Sequence, residues 1–169
     1  MFNNDSIGSG KPFTGYFEGK GHTITIGADA AGTNTNLVPF FKNSGVIHDL
    51  NVTGTVSVKT YFGSVVSSNG SGGYVIDCSS KADITVTGKG MVGGIAGQNY
   101  ENGTIKDCLN AGDISANAED AGGITGRNFG TISSSFTSGN VTLAAYSNST
   151  GYGGICAYNS GAITGTYYD

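Results

Sequence analysis

Two sets of carboxylates are the first places where this chain has residues fit for chemistry. Asp49, Asp77 and Asp107 recur at near-regular spacing, and Asp83 and Asp113 form a second set. Paired carboxylates whose pKa values are driven apart by their surroundings can do acid–base work on a glycosidic bond. Clustered acidic oxygens can also hold calcium, and Asp77 and Asp107 are the candidates for such a metal site. The competing expectation is that an Asp beside a turn caps backbone N–H groups. The corresponding positions of the next copy favour it, because Ser134 and Asn140 keep a short polar side chain and drop the charge. Only Lys81 and Lys106 accompany the two sets closely, which weakens a lyase further. No residue is assigned a catalytic role, and no cofactor is implied.

Other sources of chemistry are thinner. His22 and His48 are the two histidines, neither has a Cys, Asp or Glu at zinc-site spacing, and the sequence contains no H-E-x-x-H. Both read as surface or turn residues. The many Gly-x-Gly strings lack the following helix that a phosphate site requires, and read as turns. Thr-x-Thr pairs at 23/25, 53/55 and 85/87 do not recur at one aligned position, which argues against an ice-binding face. Aromatic residues are the better lead. Tyr74, Tyr100 and Phe129 are expected at one corner of successive copies, where stacked rings would offer a platform to sugar rings or a partner protein. Tyr146 and Tyr152 flank a Ser/Asn loop at 147–151.

What positions these residues is a repeated phrase, Asn-x-Gly-x-Ile, at Asn43–Ile47, Asn128–Ile132 and Asn159–Ile163. Looser copies run from Asn69 to Val75 and from Asn99 to Ile105, each with two extra residues in the turn. Aligning the copies produces three apolar columns: Ile47, Val75, Ile105, Ile132, Ile163; Val56, Ile84, Ile114, Val141; and Val65, Ile95, Ile124, Ile155. Three short strands per repeat of about 30 residues is the length of one coil of a parallel β-helix. The expected fold is therefore an all-β, three-sided solenoid, right-handed by the preference of parallel crossovers. Propellers and sandwiches fit less well, because the Asn-Gly turns do not join antiparallel hairpins. Asn69, Asn99, Asn128 and Asn159 are expected to stack as a ladder, with Asn tolerating a left-handed backbone at the corner.

Composition agrees with this reading. The 169 residues include 30 Gly, 2 Pro and no Trp, only 12% are charged, and helix-forming Leu is confined to positions 37, 50, 109 and 143. The length suits one domain. Residues 1–12 read as a flexible lead-in, 13–42 as a first turn or cap ending in the alternation Thr23-Ile24-Thr25-Ile26, and 43–169 as repeats, with 27–39 a loop inside the cap. Scattered basic residues and a net charge of −4 give no basic stripe for nucleic acid. No apolar run approaches the roughly 18 residues of a membrane helix, and the amino terminus as given lacks the basic-then-apolar pattern of a signal peptide. The first strands look like the interior of something larger, so flanking domains are expected. Cys78, Cys108 and Cys156 form no C-x-x-C pair and read as core thiols, although stacked Cys78 and Cys108 would lie near disulfide spacing.

Gly94-Ile-Ala-Gly97 with Asn99, and Gly123-Ile-Thr-Gly126 with Asn128, resemble the GLUG repeat of large bacterial surface proteins, including non-catalytic regions of some IgA-specific metallopeptidases. The stretch from Phe13 to Ile24 resembles the segment preceding such repeats. Ser64-Val-Val-Ser67 and Gly154-Ile-Cys-Ala157 depart from the motif by losing glycines. The resemblance implies a secreted or cell-surface bacterial β-helix and leaves its function open; the partners to look for are a glycan or a surface protein of host or bacterium. The expected function is a non-catalytic structural or adhesive segment; the alternatives are a carbohydrate-active β-helix enzyme and a calcium-dependent carbohydrate-binding module.

Overall fold

The structure, a computed structural model, describes residues 6–27, 38–117, 120–143 and 151–169. These residues form 23 short strands and no helix, so among them no helix is long and apolar enough to cross a membrane. Every pairing is parallel and joins one coil to the next. The result is a β-solenoid of about five turns with roughly 29 residues per turn. One coil runs through Ala96–Asn99, Thr104–Lys106, Leu109–Asn110, Ile114–Ala116 and Asp120–Gly122.

The three expected columns are the core. Ile47, Val75, Ile105, Ile132 and Ile163 stand in register on one face, and Val56, Ile84, Ile114 and Val141 on a second. Full burial of each such side chain contributes about 1.5–3 kcal/mol, so a short chain assembles a continuous core by stacking alone. The third column lies in a bend. Val65, Ile95 and Ile124 each donate a backbone N–H across coils, Val65 to Ile95 at 3.1 Å, Ile95 to Ile124 at 3.0 Å and Ile124 to Ile155 at 2.9 Å. The bend divides the third face into two narrow ladders, one through Met91–Gly93 and one through Ala96–Asn99.

Glycine permits that bend through space rather than through an unusual dihedral. A Cβ on Gly93 or Gly122 would run into the carbonyl oxygen of Ala96 or Thr125, three residues on. The two copies that lose glycines still form coils. The Ser64 hydroxyl donates to the Gly94 carbonyl, whereas Ser67, beside Val66 where Gly97 follows Ala96, is 1% exposed with no partner for its Oγ.

At the amino-terminal end, Thr23–Gly27 pairs with Asn51–Val58 and Tyr16–Glu18 with Val46–His48. Within the lead-in, Ile7 bridges Phe40, and Phe13 just beyond it bridges Asn43. Phe13 and Phe17 pack on Phe40 with ring centroids 5.2 and 5.1 Å away. Most of the loop assigned to 27–39 lies outside the described residues.

Candidate functional site

The Asn corner is a ladder of side-chain hydrogen bonds. Asn43 Nδ2 donates to Asn69 Oδ1 at 2.9 Å, Asn69 to Asn99 at 2.9 Å, Asn99 to Asn128 at 2.8 Å and Asn128 to Asn159 at 2.8 Å. Each amide also donates to the carbonyl of the glycine that follows in the turn: Gly45, Gly73, Gly103, Gly130 or Gly161. The first four asparagines are fully buried, and such burial of a polar group is tolerable only when its hydrogen bonds are made. One expectation is corrected here: none of the five has a positive φ. The ladder needs an extended strand end, because the side chains must point inward along the stack.

The left-handed backbone belongs instead to the Asp corner. Asp49, Asp77, Asp107, Ser134 and Gly165 have φ of 51°, 52°, 53°, 48° and 53°. Asp is among the few non-glycine residues that adopt this conformation routinely. In four of the five the residue after the turn closes it: Cys78 Sγ points at Ile76 O at 3.2 Å, Cys108 Sγ at Lys106 O at 3.2 Å, Ser135 Oγ donates to Ser133 O at 2.9 Å and Thr166 Oγ1 to Thr164 O at 3.1 Å. The cysteines are thus turn residues as well as core residues. Cys78 and Cys108 are buried and unbridged. Burial raises the Cys108 thiol well above its ordinary pKa and pushes Cys156 up to about 12, as expected of inert thiols.

The second carboxylate set also serves the backbone. Asp83 Oδ1 accepts the Asp113 N–H at 3.1 Å, and Asp113 Oδ1 accepts the Asn140 N–H at 2.9 Å. Of the metal candidates, Asp77 contacts His48 Nε2 at 3.0 Å and Asp107 contacts Lys106 Nζ at 3.4 Å. Among the described residues no group of three or more His, Cys, Asp or Glu is arranged to hold a metal ion.

His48 has neighbours that its sequence surroundings do not reveal. Stacking places Glu18 one coil before it and Asp77 one coil after, with Nδ1 3.1 Å from Glu18 Oε1. The Tyr16 hydroxyl donates to Glu18 at 2.9 Å, and the Tyr16 ring stacks over His48 at 6.3 Å. Glu18 above all raises the His48 pKa, desolvation opposes it and Asp77 adds to the rise; His48 and then Tyr16 lower that of Glu18.

The predicted aromatic platform divides. Tyr100 and Phe129 occupy one corner, each donating its backbone N–H to the preceding coil's asparagine carbonyl at 2.8 Å. Tyr74 lies inside strand Tyr74–Ile76, opposite Thr104 on a neighbouring face. Tyr158 takes its place, with its ring 5.7 Å from Phe129. Tyr146 lies outside the described residues, while Tyr152 is 67% exposed.

Tyr100 and Phe129 line a groove of about 550 Å³ together with Lys42, Ser68, Gln98 and the turns at 70–71 and 101–102. Three of its lining residues, Lys42, Ser68 and Gln98, belong to an outward row that continues to Arg127 and is held in register across four coils. A smaller hollow of about 340 Å³ continues it towards Phe41, Tyr61 and Met91. At the far end of the row Arg127 is ion-paired with buried Asp120 and lies 6.0 Å from the Tyr158 ring. Sequence reading missed this row because its members share no residue type; only their fixed place immediately before each ladder asparagine marks them.

No protein-family model, curated protein or solved structure matches the chain.

Proposed function

We propose that this chain is a non-catalytic structural and adhesive segment of a secreted or cell-surface bacterial protein, a stiff spacer that presents a binding face. The observation that carries the reading is the use made of the acidic residues. A hydrolase needs carboxylates converging on a substrate, whereas Asp49, Asp77 and Asp107 supply left-handed corners and Asp83 and Asp113 accept backbone N–H groups. Uninterrupted ladders from coil to coil support stiffness, and the groove beside the Asn corner supports a binding role. The GLUG-like motif of the sequence supports the surface location.

The test is incubation of the protein with insoluble cellulose, chitin and bacterial peptidoglycan, followed by assay of both bound protein and released reducing ends. Retention on at least one matrix without release is expected. Release that disappears in Asp77→Asn or Asp107→Asn would replace this reading with that of a carbohydrate-active β-helix enzyme.

A further inference from the structure

Two turns depart from the repeat in a way that the fold does not require. The corner is complete in its short form, as Asn43-Ser44-Gly45 and Asn128-Phe129-Gly130 show, since both keep the ladder bond and the glycine contact. The turns after Asn69 and Asn99 nevertheless carry two more residues each. These longer turns lie against one another, with Gly72 N donating to Asn102 O at 3.2 Å, and Asn102 holds a left-handed φ of 59°. They form a wall beside the outward row Lys42, Ser68 and Gln98, and the Tyr100 ring lines the space between. Departures from local rules without structural need are where function is expected in a repetitive fold.

Three features define the ligand. Row members are one strand spacing apart, about 4.8 Å, nearly the advance per unit of a β-linked pyranose chain, so a linear glycan along the solenoid axis meets an equivalent position at each coil. Val66–Asn69 and Ala96–Asn99 are paired on both sides, and the outer side of Phe40–Asn43 is bridged by Ile7 and Phe13, so little backbone edge is left on which an extended peptide could add a strand. Recognition there falls to amide, hydroxyl and aromatic side chains, the set that hydrogen-bonds sugar hydroxyls and stacks on sugar faces. Lys42 and Glu101 both line the groove, so its opposite charges balance and a polyanion gains little.

We propose that this groove binds a linear, uncharged glycan lying along the solenoid axis with one sugar per coil. The proposal rests on the adhesive reading above and names its ligand class and site. Calorimetric titration with cello-oligosaccharides and chito-oligosaccharides, from the disaccharide to the hexasaccharide, tests it, with hexagalacturonate as the anionic probe. Affinity in one series should rise with length and level off near the tetrasaccharide, because the lining residues Lys42, Ser68, Gln98 and Phe129 come from four coils. Tyr100→Ala should lower affinity about tenfold or more with an unchanged melt, and deletion of Glu101 and Asn102, which restores the short turn, should do the same. Tyr74→Ala, on the neighbouring face, should leave binding intact. Length-independent affinity, equal loss in Tyr74→Ala, preference for hexagalacturonate, or binding of neither neutral series would each overturn the proposal. Matrix retention that Tyr100→Ala leaves unchanged would overturn the groove while the adhesive reading stands; failure of the unmutated protein to be retained on any matrix would remove that reading too.

Discussion

Two corners of every coil are written in Asn and Asp, and they hold by different physics. At the Asn corner the side chain does the work: four consecutive amides are fully buried and bonded to one another at 2.8–2.9 Å with no positive φ. At the Asp corner the backbone does the work, in a conformation with φ near 50°, and the exchange of Asp for Ser134 and Gly165 leaves that conformation unchanged. A repeated polar residue in a solenoid can therefore mark either a buried network, intolerant of any change, or a dihedral requirement, which several residues satisfy. The recurrence of Asp77 and Asp107 answers to the dihedral.

Substitutions sharpen the contrast, and Asn128→Ala should have the largest effect. It removes one acceptor of Asn99 Nδ2 and the donor to Asn159 Oδ1 and to the Gly130 carbonyl, breaking the ladder at its last fully buried asparagine. A cost of about 1–3 kcal/mol is expected, read in a thermal melt as about 2–4 °C per kcal/mol for a chain of this size. The control Asn117→Ala should move the melt little, since Asn117 Oδ1 already lacks a partner. Next comes Asp107→Val, which forces a β-branched residue into the left-handed region at about 1–2 kcal/mol. Asp107→Gly should be neutral or slightly stabilising, because Gly adopts that φ at no steric cost. Equal losses in the two Asp107 variants would mean that the carboxylate, not the dihedral, matters there.

The smallest effect concerns His48, which joins Asp77 of the Asp corner to Glu18. Its pKa is raised in the fold, so the stability it adds is fully present below its unfolded value of about 6.5 and is lost as pH rises through the raised value. Glu18, whose pKa is lowered, contributes above the ordinary Glu value and loses that contribution as pH falls through the folded one. A shallow stability maximum between those limits is expected, flattened in His48→Ala. A wild-type melt that rises through neutral pH, with the variant unchanged, would contradict the assignment.

The apolar columns and the ladder asparagines were legible in the sequence because stacking repeats the same residue type at a near-constant interval. The left-handed corner was not, since αL geometry accepts Asp, Ser or Gly and leaves no fixed letter. Glu18, His48 and Asp77 lie 30 and 29 residues apart and meet only once the coils stack. Tyr74 was misplaced because it lies five residues past its asparagine, already on the next strand, whereas Tyr100 and Phe129 lie one residue past theirs: Gly70, not Tyr74, is the counterpart of Tyr100 at the corner.

The most direct test of the two-corner account is exchange of the asparagine side-chain amides, followed by nuclear magnetic resonance in deuterated water. The Nδ2 protons of Asn69, Asn99 and Asn128 should exchange far more slowly than those of exposed Asn140, and Asn128→Ala should speed exchange at Asn99 while Asp107→Gly leaves it unchanged. Exchange of the ladder amides at the rate of Asn140 would contradict the claim that a buried side-chain network holds this corner.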